Sequence, residues 1–181
     1  MNCGLRDRET VKLRWDWIHD IDGVGLIAVI PAKWKGESIT KGGKYDRVVP
    51  LNRICLSILE ECGGQHNEFI FIYDGKPVTR MVNTNWNNAR KDTAEQLADF
   101  PADLHFHDCR HTFGHRLLEA GVDKDTRRAL LGHKSGDITD HYSQGDLIHL
   151  TRCVNKITIP NKAVPVLSLA KVYKRSADQI K

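Results

Sequence analysis

The chain has 181 residues, 40% of them hydrophobic and 28% charged, which suffices for one domain with a sizeable core and excludes a low-complexity or fibrous chain. A formal net charge of +4 leans toward an anionic partner without requiring one. No apolar run reaches bilayer length and no signal-peptide pattern opens the sequence, so the expectation is a soluble, intracellular protein.

In chain order, a helical pattern comes first, at residues 8–15, and the period changes to that of strands from Gly23. Residues 25–31 are a β-rich run ended by Pro31. Residues 37–40 and 46–51 flank Lys41, Gly42, Gly43 and Lys44, whose paired glycines predict a hairpin turn. Together these runs predict a small antiparallel sheet of about three strands. Residues 51–62 predict a helix with Leu51, Ile54, Cys55, Ile58 and Leu59 on one face and Gly63 and Gly64 as its stop. Residues 68–73 form another strand-like run, closed by Asp74 and Gly75. Asn83, Thr84 and Asn85 offer N-cap chemistry for a helix carrying Trp86, Ala89 and Leu97, and residues 99–104 connect onward as a loop.

Residues 112–120 predict a helix with Phe113, Leu117 and Leu118 inward and Gly121 just past its end. Asp123 caps a second helix that ends at Leu131, followed by Gly132. Residues 137–142 predict a short helical turn, and residues 146–157 a last helix that docks on a neighbouring molecule or packs in cis. The tail 161–181 carries Lys162, Lys171, Lys174, Arg175 and Lys181 against Asp178, a pattern suited to phosphates or simply to solvent. The five cysteines are scattered and form no C-x-x-C pair, which argues against a disulfide framework and a zinc ribbon.

Reactive side chains concentrate late in the chain. His107, Arg110 and His111 precede a Leu131-Gly132-His133 helix end and Tyr142. A tyrosine hydroxyl has a pKa of about 10, so attack at neutral pH needs a base or strong positive charge nearby. A guanidinium offers a planar fork that matches two phosphate oxygens, and imidazole takes or gives a proton near neutrality. Taken singly, each residue has a plainer reading: a surface pair for His107 and Arg110, a helix cap for His133, a packing residue for Tyr142, solvated turn residues for Lys41 and Lys44, and an exposed helix start for Arg6. Their joint order and spacing favours phosphodiester chemistry.

That order resembles the signature of the tyrosine recombinases, the phage integrase family: H-x-x-R at His107 to Arg110, L-G-H at Leu131 to His133, then a tyrosine at Tyr142. Gly4-Leu5-Arg6, with Glu9 three residues on, resembles the family's G-L-R-x-x-E motif. Lys41 to Lys44, followed by Val49-Pro50-Leu51, resembles its β-hairpin lysine motif. Lys76-Pro77-Val78 after Gly75 and the helix from Trp86 to Ala89 are similar to the intervening segment of prophage integrases.

The resemblance implies an α+β, mainly helical catalytic-domain fold with a small antiparallel sheet. It implies that Arg6 and Arg110 clamp the non-bridging oxygens of the scissile phosphate and that His133 hydrogen-bonds to it. His107 would move the proton that assists Tyr142, the nucleophile, and Lys41 would protonate the departing 5′ oxygen, with Lys44 on the same tip as the alternative. Glu9 would support the first arginine or stand on the surface. Neither metal nor cofactor is implied. The implied partners are duplex DNA attachment sites, sister protomers and a directionality factor, in the cytoplasm of a bacterial host at the nucleoid. Residues 1–160 are expected to be the catalytic domain, without its first helix and the family's N-terminal core-binding domain, and 161–181 a basic tail. The leading expectation is site-specific recombination through a 3′-phosphotyrosine. The alternatives are a non-catalytic DNA-binding remnant and a type IB topoisomerase-like enzyme.

Overall fold

Local chemistry starts the first helix at Asp7. In the computed structural model, which describes residues 2–34, 37–38, 46–80, 83–97, 100–101, 103–133 and 142–157, helix α1 is Asp7–Val11. The Glu9 carboxylate accepts the Arg6 backbone N–H at 2.7 Å, filling a position that a free helix start leaves open. A 3₁₀ turn at Trp15–Trp17 then leads into β1 (Ile18–Ile21).

Strand β1 turns back through Asp22, Gly23 and Val24 into β2 (Gly25–Ile30), with Gly23 at φ 73° and Val24 donating to the Ile21 carbonyl at 2.9 Å. After the two-residue strands β3 (Lys33–Trp34) and β4 (Glu37–Ser38), β5 (Arg47–Pro50) returns to the other edge of β2. The result is a three-stranded antiparallel sheet in the order β1-β2-β5. Its size matches the sequence expectation, but its membership does not. The stretch around Glu37 pairs with β3 instead, and β1, which lies between the helical pattern at 8–15 and the change of period at Gly23, takes the edge. A tight turn joins β1 to β2, so that pairing closes at little entropic cost.

Ile30 lies opposite Arg47 and Ala28 opposite Val49, so these four share one face. That face packs on α2 (Arg53–Cys62), whose start is capped by Asn52 and whose end is marked by Gly63. Leu51, Cys55 and Leu59 are buried there as the periodicity predicts, while Ile58 is 40% exposed. Farther on, the strand-like run at 68–73 is used only in part. Phe69 bridges to Arg14, and β6 (Ile72–Tyr73) pairs with β7 (Lys76–Pro77) around Asp74 and Gly75, both at positive φ as a tight hairpin requires. Helix α3 (Asn83–Gln96) takes Asn83, Thr84 and Asn85 into its own first turn rather than using them as caps, and Leu97 lies exposed beyond its end. The Trp86 indole and the Arg90 guanidinium both donate to the Leu104 carbonyl and tie α3 to the connection that follows.

Helices α4 (Asp108–Glu119), α5 (Lys124–Leu131) and α6 (Gln144–Asn155) enclose the second core, with Phe113, Leu117, Leu130, Leu150 and Val154 at its centre. Leu118, expected inward, is half exposed because it sits one residue round the helix from buried Leu117. A smaller cluster of Val24, Ile27 and Leu147 joins the outer face of the sheet to α6, which packs in cis. All five cysteines are free. Among the described residues no helix is long and apolar enough to cross a membrane. The Lys41–Lys44 tip, most of the turn expected at 137–142 and the tail 161–181 lie outside the described residues.

Candidate active site

The end of α5 organises the site. Asp123 starts this helix by accepting from the backbone N–H groups of Asp125 and Thr126, and Gly132 ends it in the left-handed conformation at φ 61°. A helix C-terminus leaves carbonyls without partners and carries partial negative charge. Here three successive carbonyls each receive a guanidinium. Leu130 accepts from Arg47 at 2.9 Å, Leu131 accepts from Arg110, and Gly132 accepts from Arg6 at 3.1 Å.

A second anchor is the Gly4 carbonyl, which accepts from both Arg110 and Arg47. Gly4 sits at φ 58°, and a Cβ there would lie 2.5 Å from the Phe113 ring, so the start of the chain is pressed onto α4 as only glycine permits. The third anchor is Glu9, fully buried, whose carboxylate takes Arg6 Nη1 at 2.7 Å on one oxygen and Arg47 on the other. Of the two readings the sequence allows for Glu9, support of the arginine is the one observed.

Arg6 and Arg47 therefore share the Glu9 carboxylate and Arg110 rests on backbone carbonyls, so among the described residues three guanidiniums meet one carboxylate in a partly buried place. The electrostatics register this. Burial, then Arg47 and Arg6, pull Arg110 down to about 10, so it is still charged at neutral pH. Arg47 is likewise lowered, by burial first, with Glu9 acting against it. His133, next after Gly132 and largely open to solvent, is lowered by what burial it has and then by Arg110 and Arg6. It is thus held neutral near pH 7, able to donate or accept a hydrogen bond.

The structure thus brings together Arg6, Arg110 and His133. His107 stands at the N-cap of α4, one turn before Arg110, with its ring edge-on to His111 at 4.9 Å. It shares with Arg110 the wall of an apolar cavity of about 280 Å³ that Cys3, Leu5, Cys55 and Phe71 also line. Tyr142 lies immediately before the Ser143 cap of α6, is 39% exposed, and is close enough for its negative form to act on Arg47. Lys41 lies outside the described residues.

Arg47 is the participant that sequence reasoning missed. It occupies an inward register position in β5, on the same face as Val49. The available signal was a charged residue at the start of an alternating apolar strand, where another valine or isoleucine would otherwise be expected.

With the geometry in place, comparison with known proteins gives a consistent result. A sequence model of the phage integrase family matches residues 1–147. The integrase of Salmonella phage P22 is 28% identical over 94% of this chain and 44% of its own length. Tyrosine recombinase XerC of Xylella fastidiosa strain M23 is 32% identical over 83% of this chain and 48% of its own. A tyrosine recombinase of Pseudothermotoga lettingae is 32% identical over 77% and 45%. The chain spans about half the length of these relatives. No solved structure gives a significant match.

Proposed function

The chain belongs to the phage integrase family of tyrosine recombinases, and from that membership we propose that it carries the strand-transfer chemistry of a site-specific DNA recombinase. The observation that carries the reading is the cluster of Arg6, Arg47 and Arg110 around Glu9 at the end of α5, with His133 beside it. Three guanidiniums with one carboxylate among the described residues, in a partly buried site, favour an anion, and a pentacoordinate phosphorane concentrates negative charge on its non-bridging oxygens.

In this reading Arg6 and Arg110 bind those oxygens and His133 donates a hydrogen bond to one of them. Tyr142 Oη forms a bond to phosphorus as its proton leaves toward His107, and the bond from phosphorus to the 5′ oxygen breaks. That oxygen takes a proton from Lys41, or from Lys44 on the same tip. The product is a 3′-phosphotyrosyl link that retains the phosphodiester's energy, so a 5′ hydroxyl from another strand reverses the step onto itself. Duplex attachment sites, sister protomers and a directionality factor are the partners this implies.

The test is a nicked duplex bearing the chain's own attachment site. Wild type is expected to give a denaturant-stable protein–DNA adduct that is lost in Tyr142→Phe and reduced about a hundredfold or more in Arg110→Lys, since an ammonium cannot reproduce the fork. Binding of that duplex by folded protein with no adduct would show a DNA-binding remnant instead. Relaxation of supercoils without site preference would favour a type IB topoisomerase.

A further inference from the structure

We propose that Arg47 is a positioning residue. Its guanidinium, held by Glu9, Gly4 and Leu130, sets where Arg6 and Arg110 present their forks to a phosphate. The proposal rests on the anion-binding reading above and adds a residue to it. Both Nη groups of Arg47 are already committed to Glu9, Gly4 and Leu130, so it acts through those contacts rather than on the ligand. Its contacts reach each part that holds the other two arginines. It donates to Glu9, whose other oxygen holds Arg6. It donates to the Gly4 carbonyl, which Arg110 also uses. It donates to Leu130, the first of the three carbonyls at the end of α5 whose next two hold Arg110 and Arg6. One side chain on the sheet thus fastens the chain start, α1 and the end of α5 to one another.

Stability alone does not account for an arginine here. Its Nε–H is buried with no acceptor among the described residues, its neighbours Arg6 and Arg110 are also positive, and burial of a charge is costly. Replacement of a buried ion pair by apolar groups of similar volume is often neutral or stabilising. What an apolar residue cannot supply is three divergent donors in one rigid plane. A lysine keeps the charge but not that geometry.

The experiment separates geometry from charge and from folding. Inorganic phosphate is titrated into the full chain and followed by the NMR signals of the His133 imidazole, alongside thermal unfolding, for wild type and Arg47→Lys. Arg47→Lys is expected to weaken phosphate binding about tenfold or more in protein that still folds, because the charge is kept and the fork is lost. Phosphate affinity within twofold of wild type in folded Arg47→Lys overturns the proposal, as does wild-type protein that binds no phosphate. Should Arg47→Lys not fold, Arg47→Met combined with Glu9→Gln removes the pair without leaving an orphaned charge. It is compared with Glu9→Gln alone, so that any further loss of affinity belongs to Arg47, and absence of a further loss is likewise fatal. The readout is phosphate binding rather than strand cleavage, so a failure of the transesterification reading leaves this comparison intact.

Discussion

At Gly132 two constraints meet in one residue. Its φ of 61° costs an L side chain about 1–2 kcal/mol, and a Cβ would stand 2.5 Å from Arg47 Nε. Gly132→Ala is therefore expected to lower unfolding free energy by about 2 kcal/mol or more, read from urea denaturation, and to disturb phosphate binding with it. His133, the next residue, gives a pH signature whose sign follows from its neighbours. Its folded-state pKa lies below the usual value near 6.5, so the unfolded chain protonates first as pH falls. This group's contribution is whole above about pH 6.5 and is lost as pH falls from there toward the folded-state pKa. Urea midpoints at pH 7 and pH 5 test this. Part of the acid-side loss is expected to disappear in His133→Asn, and an identical loss in both proteins would contradict the assigned environment.

At the scale of elements, the ends of the helices do the positioning. Ser143 accepts from the Asp146 backbone N–H at 3.2 Å, and the Asp146 carboxylate accepts the Ser143 backbone N–H at 2.9 Å, so α6 is capped by the residue right after Tyr142. Ser143→Ala is expected to cost about 1 kcal/mol and to speed amide exchange at the start of α6, measured by hydrogen exchange. Several such ends were legible in the sequence. Asp123, Gly64, Gly121 and Gly132 mark boundaries because capping and left-handed turns depend on few neighbours. Strand membership was less legible. Ile18 to Ile21 and the stretch around Glu37 have similar local character, and only the register against β2 decides between them. Helix faces were readable to within one residue, which is why Leu117 is buried and Leu118 is not.

For the whole molecule, the site lies where the two principal cores meet. Arg6 and Arg47 come from the half built on the sheet and α2, Arg110 and the α5 carbonyls from the helical half, and Phe113 beneath Gly4 belongs to the seam. Phe113→Ala is expected to cost about 3–5 kcal/mol and to loosen the chain start against α4, seen as a lower Tm together with weaker phosphate binding. A Tm loss with phosphate affinity intact would show that the seam does not carry the arginines. This long-range assembly explains what stayed hidden in the sequence. Motif order picked out Arg6, Arg110, His133 and Tyr142 as candidates, but a buried arginine serving a backbone carbonyl 83 residues away leaves no local periodicity. Successive residues of a helix are rotated by about 100° and advance by about 1.5 Å, so the carbonyls of Leu130 and Leu131, with that of the left-handed Gly132 just past the helix end, act as a ruler for Arg47, Arg110 and Arg6. A single residue gained or lost within α5 would rotate all three graduations at once.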